Sequence, residues 1–86
     1  MSEADSDVTA SVRKFVVEEL AAMKGSPGVR YDESLIESGI LDSFGVFRLV
    51  TFMEEEFEIQ FADDEVSAEN LRTIDTIASF IRGKTA

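Results

Sequence analysis

The sequence predicts an all-α fold: a small bundle of three main helices plus one short helix, with a long loop between helices 1 and 2. Three observations carry this. Apolar residues recur at i, i+3, i+4 and i+7 in three separate stretches. No run alternates like a strand long enough to find a partner. The 86 residues, 44% of them hydrophobic, suffice for one core and not for two, so residues 1–86 are expected to form a single domain.

The first helix is expected over Asp5 to Lys24, with Ser6 or Asp7 as its cap and Val8, Val12, Phe15, Val16, Leu20 and Met23 on its inward stripe. Gly25 is a stop, and Ser26-Pro27-Gly28 is a breaker cluster holding the one proline of the chain. Val29 to Leu41 reads as a loop, longer than a small packed domain normally needs. Its Tyr31, Leu35, Ile36, Ile40 and Leu41 should pin it to the core, with at most a short helical turn over Glu33 to Glu37. The central helix covers about Ser43 to Glu58, capped by Asp42, and turns Val46, Leu49, Val50, Met53 and Phe57 inward. Gly45 in its first turn costs up to about 1 kcal/mol against alanine and permits close approach to the backbone.

Ile59-Gln60-Phe61 is too short for a strand and reads as a connector whose Ile59 and Phe61 plug the core. Asp63 to Glu69 is the expected short helix, with acids at its favourable end. Leu71 anchors the next loop, and Thr73 caps a last helix carrying Ile74, Ile77, Ala78 and Ile81 and ending at Gly83. Residues 1–5 and 84–86 are expected to fray.

Composition removes several functions. With no cysteine and no histidine, the chain cannot supply a disulfide, a thiolate metal site, a cysteine nucleophile or a histidine-based triad. Asp63-Asp64-Glu65 lacks the alternating oxygen ligands of a calcium loop, and no dedicated metal site is expected. The net charge of −10 opposes nucleic acid binding. No run is apolar enough to span a bilayer, and the acidic opening residues resemble no secretory signal, so the cytoplasm is the expected compartment. The acidity is concentrated: Asp32 to Glu69 holds twelve acids and a single base, Arg48. That field would steer a basic partner to the middle of the chain, although acidity also serves plain solubility.

The central helix has a second, outward face. At about 100° per residue, Phe44, Phe47 and Thr51 fall with Glu54, Glu55 and Glu58, away from the core stripe. Aromatic rings rimmed by carboxylates suit docking, with Phe47 also able to tuck under the long loop. The consecutive carboxylates Glu54-Glu55-Glu56 diverge around the helix and cannot converge on one substrate. Ser43 stands at the helix N-terminus, where free N–H groups can bind a phosphate. By itself Asp42-Ser43 is only a capping signal.

Gly-Ile-Leu-Asp-Ser-Phe followed by an apolar helix ending Glu-Glu-Glu-Phe-Glu-Ile resembles the acyl and peptidyl carrier protein family, over roughly Val8 to Ile81 with its centre at Leu41 to Phe57. The resemblance implies a carrier bundle in which Ser43 is esterified by 4′-phosphopantetheine from coenzyme A, with Asp42 as cap and contact for the phosphopantetheinyl transferase. It implies a non-catalytic chain, served further by an acyl or amino-acid activating ligase or synthase with a basic docking surface. Two departures bear on the cargo. Phe44 stands where the family usually has leucine, and Gly45 and Arg48 stand where many fatty-acid carriers place acids. The Asp-Ser-Phe-Gly form is more similar to stand-alone aminoacyl carriers, D-alanyl carriers among them, than to the carrier of primary fatty-acid synthesis. A helical interaction module that is never modified is the alternative in a different class. The stripes can satisfy one another within one bundle, so a monomer is expected.

Overall fold

The computed structural model describes residues 3–25 and 28–85. Helix α1 spans Glu3–Phe15 and continues without a break as a π-helical segment, Val16–Ala21, and a 3-10 turn, Ala22–Lys24. Helix α2 spans Ser43–Phe57, a 3-10 turn covers Asp63–Glu65, and helix α3 spans Ile74–Thr85. Three main helices and one short one form the bundle, and no strand occurs among the described residues.

The core is the junction of the three stripes. Val12, Val16, Leu20 and Ala21 of the first helical run meet Leu49 and Met53 of α2 and Ile74, Ile77, Ala78 and Ile81 of α3. Val46, Val50 and Phe57 close the edges of the α2 stripe. Phe15 stacks on Phe52 with centroids 4.3 Å apart, which ties α1 to the flank of α2 by a face contact worth about 1 kcal/mol beyond area.

The first helix departs from expectation at both ends. It already runs through Ser6 and Asp7, so neither is its cap, and the residues before Glu3 lie outside the described part. At the other end, the Ala22 N–H reaches back to Val17 O. This i→i+5 pattern widens the turn. The widening keeps Val16, Leu20 and Ala21 buried but rotates Met23 out of the 3.6-residue stripe, leaving it 66% exposed rather than in the core. Gly25, at φ +74°, ends the run in the left-handed conformation that glycine adopts without strain.

The long loop is pinned at two levels. Leu35, Ile40 and Leu41 are buried, and backbone bonds run from Leu35 N to Arg72 O (2.8 Å) and from Asp75 N to Tyr31 O (3.1 Å). Tyr31 and Ile36, expected inside, are exposed: the bonds that hold the backbone turn their side chains outward. The short helix is also shorter than its sequence suggested. After Glu65 the chain leaves helical space at Val66 (ψ 84°), and Asn70 Nδ2 donates to Glu65 O while the Ser67 hydroxyl accepts from Asn70 N. Such side-chain-to-backbone bonds offer the chain an alternative to helix.

Thr73 caps α3, its hydroxyl accepting from Thr76 N at 3.0 Å. The helix passes Gly83 and reaches Thr85, so Lys84 and Thr85 are not frayed. Thr85 Oγ1 donates to Ile81 O, and Lys84 Nζ pairs with Glu65 at 3.0 Å. Residues 3–5 are likewise helical, while Met1, Ser2 and Ala86 lie outside the described residues.

Candidate functional site

Asp42 builds the start of α2. Its backbone is extended (φ −106°, ψ −173°) and its Oδ1 accepts from Gly45 N at 2.8 Å, satisfying one of the free donors that open a helix. The second oxygen, Oδ2, accepts from Lys24 Nζ at 2.6 Å, so the end of the first helical run is tied to the start of α2. The Lys24 hydrogen bond, and after it the Gly45 N–H, hold the Asp42 carboxyl below the usual aspartate range. Gly45 is buried, and a Cβ there would lie 3.3 Å from Asp42 Oδ1 and 3.4 Å from Leu41 Cδ1. The close approach that this glycine permits is therefore that of the cap itself.

Ser43 follows the cap as the first residue of α2, and it is exposed. Beside it lies an open groove of about 440 Å³, lined by Ile36, Leu41, Val46, Val66, Ala68 and Leu71 with Asp42 and Ser43 at its margin. Its walls are mostly apolar. The outward turn of Ile36 supplies part of that wall.

On the other flank of α2, Phe44 is 62% exposed and Phe47 69% exposed, so neither ring enters the core. Thr51, Glu55 and Glu58 are exposed on the same side. Glu54 is not free in the same way: it is half-buried and its Oε2 accepts from Phe61 N at 3.0 Å, bracing the connector after α2. Glu58 ends α2 with a left-handed backbone, φ 54° and ψ 48°, a conformation more natural to glycine or asparagine.

Three neighbours complete this surface, and two of them do not follow from helical spacing. The Arg48 guanidinium lies 5.9 Å from the Phe44 centroid and 5.8 Å from that of Phe15. Its Nη2 pairs with Glu19 at 2.9 Å, and its Nη1 reaches Glu19 O and the Met23 sulfur. The sole cation of the acidic middle is thus neutralised by the first helix. Met23 joins Phe44 and Phe47 among the exposed apolar side chains because of the π-helical turn. Lys24 joins through Asp42. Of these, only Arg48 left a signal, standing four residues after Phe44 on the same face.

Among the described residues, no group of three or more acidic side chains is placed to hold a metal ion. No helix there is long and apolar enough to cross a membrane.

Taken together, the fold is that of a small all-α bundle which displays a serine at the head of its central helix. The comparisons with known proteins give it a family. The chain is 33% identical over 73 residues to an acyl carrier protein of Bdellovibrio bacteriovorus, covering 85% of this chain and 88% of the relative. It is 29% identical over 86 residues, the full length of both chains, to an acyl carrier protein of Beutenbergia cavernae. No protein-family model matches the chain. At that identity and coverage the chain belongs to the acyl carrier protein family, with the carrier role that membership entails.

Proposed function

We propose that this protein is a stand-alone carrier that holds its cargo on a 4′-phosphopantetheine arm attached to Ser43. The observation that supports this most is the position of Ser43: exposed, first in α2, and at the margin of an apolar groove. In the attachment, Ser43 Oγ bonds to the phosphorus of coenzyme A that bears the pantetheine. The phosphoanhydride bond to the adenosine 3′,5′-bisphosphate leaving group breaks, and the hydroxyl proton passes to a base of the phosphopantetheinyl transferase. When attached, the arm supplies a terminal thiol for thioester linkage to the cargo.

This chain's own residues do the rest by placement. Asp42 orients the first turn and, with its low pKa, stays ionised for recognition. Phe44, Phe47 and Thr51 give a partner enzyme an apolar anchor, and Glu55 and Glu58 give it acidic contacts. The partner class that fits is a transferase, or an acyl or amino-acid activating ligase or synthase, with a basic rim. Glu54 contributes to that surface mainly by fixing the connector behind it. Tethering raises the effective concentration of the cargo for successive enzymes without catalysis by the carrier.

For the cargo we favour an aminoacyl or specialised acyl group over the chains of primary fatty-acid synthesis, on Phe44 and Gly45 beside the serine and on a groove that lies open at the surface. A cytoplasmic monomer is the form in which such a carrier would meet its enzymes. Intact-mass spectrometry after incubation with coenzyme A and a broad-specificity phosphopantetheinyl transferase tests the reading. One added arm on the wild type and none on Ser43→Ala is the expected result. An unmodified wild type, with an established carrier modified in the same tube, would favour a helical interaction module acting through Phe44 and Phe47.

A further inference from the structure

We propose that Lys24 is a positioning residue for the modification of Ser43, acting through Asp42 by holding the carboxylate oxygen that a basic residue of the transferase would engage. The inference rests on the carrier reading above and concerns how partners gain access to the same site.

Asp42 has two oxygens, and both are engaged. Oδ1 accepts from Gly45 N at 2.8 Å, a bond that the start of α2 needs. Oδ2 is therefore the oxygen available to a partner, and Lys24 Nζ sits on it at 2.6 Å. A carboxylate oxygen can accept more than one hydrogen bond, but two cations converging on it repel each other. The side chains of the pair are 43% and 49% exposed, so the contact is held weakly enough to be exchanged. The backbone that presents Lys24 is, by contrast, well defined: the 3-10 turn Ala22–Lys24 closes on Gly25, whose N–H donates to Ala22 O at 3.1 Å.

The surrounding charges point the same way. The two ion pairs that cross from the first helix to the head of α2 are Lys24–Asp42 and Arg48–Glu19, and the first of them neutralises the acid that adjoins Ser43. The side chains of Glu55 and Glu58, farther along α2, make no ion pair or hydrogen bond among the described residues. A basic partner is thus drawn first to the far end of α2. To bond Asp42 Oδ2 beside the serine, it must compete with Lys24 for that oxygen. That makes Lys24 a brake on recognition by weakly basic enzymes, and a determinant of which transferase can modify the chain.

The test is steady-state transferase kinetics on the full chain, wild type against Lys24→Met and Lys24→Arg, at low and moderate salt. Lys24→Met keeps the aliphatic stem and removes the charge. It should lower KM by roughly two- to fivefold, the span expected of an exposed ion pair, with the effect in KM rather than kcat. The salt dependence of KM should steepen, because Asp42 is unmasked. Lys24→Arg should restore the wild-type KM. Carboxyl-carbon NMR of Asp42 gives a second reading: its pKa should rise toward the ordinary value in Lys24→Met and stay low in Lys24→Arg. An unchanged or higher KM in Lys24→Met, or Lys24→Arg behaving like Lys24→Met, would overturn the inference while leaving the carrier reading intact. Failure of the wild type to accept any arm, or modification of Ser43→Ala, would instead remove the carrier reading itself.

Discussion

Leu49 and Phe47 stand two residues apart on one helix, yet Leu49 has no exposed surface and Phe47 is 69% exposed. Both are large and apolar. The inward stripe, with Leu49 and Met53 at its centre, is closed on every side by α1, α3 and the pinned loop. The outward stripe has Arg48 over Phe44 and, beside Phe47, an open surface groove shared with Phe15 and Phe52. The first arrangement stabilises the fold. The second leaves apolar area in water, which does nothing for folding and suits a surface that another protein covers.

The largest effect separating the two faces should come from Leu49→Ala, which leaves a cavity at the centre of the bundle. A loss of about 2–5 kcal/mol in urea unfolding is expected, large enough to unfold a domain of this size. Phe47→Ala should change stability by less than about 0.5 kcal/mol, while lowering kcat/KM with the loading enzyme by about tenfold as a docking anchor is lost. A Phe47→Ala protein as destabilised as Leu49→Ala would erase the distinction between the faces.

A smaller effect is expected at the end of α2. Glu58 holds a left-handed backbone, so Glu58→Gly should stabilise the fold by about 0.5–1 kcal/mol in the same unfolding assay. It should at the same time weaken docking of a basic partner, because one acid is lost. Opposite signs in the two assays would separate what the fold wants at this position from what the surface wants.

The last effect lies in the dependence on pH. The carboxyls of Asp42 and Glu65 are both held below their ordinary values of 3.8 and 4.5, the first chiefly by Lys24 and the second chiefly by the Ala62 N–H. A depressed acid contributes stability that is fully present above its unfolded pKa and is lost as pH falls through its folded pKa. Stability should therefore change little on their account at neutral pH and begin to fall as acidification passes about 4.5 and 3.8. Lys84→Met should narrow this acid-dependent loss by removing the partner of Glu65. Thermal unfolding between neutral pH and pH 3 reads both.

Much of this was legible in the chain because it is local. The stripes of α1, α2 and α3, the Asp42 and Thr73 caps and the outward placement of Phe44 follow from periodicity and capping, which depend on near neighbours only. The features that were not legible depend on distant residues or on changes of helical pitch. One π-helical turn moved Met23 from the core to the surface. The Lys24–Asp42 and Arg48–Glu19 pairs join residues far apart in sequence, and nothing in either local pattern indicates them. Glu54 reads as another outward acid until the connector folds back and offers it the Phe61 N–H. The helix expected through Glu69 gives way to side-chain bonds from Ser67 and Asn70 that propensity does not weigh.

The most direct measurement is fragmentation mass spectrometry of the chain after exposure to coenzyme A and a transferase. The nine serines offer nine hydroxyls, and the arm is expected on Ser43 alone, at full occupancy, with Phe44 as the next residue of the modified fragment. An arm on any other serine, or a Ser43 fragment that stays unmodified while a related carrier in the same reaction is converted, would contradict this expectation.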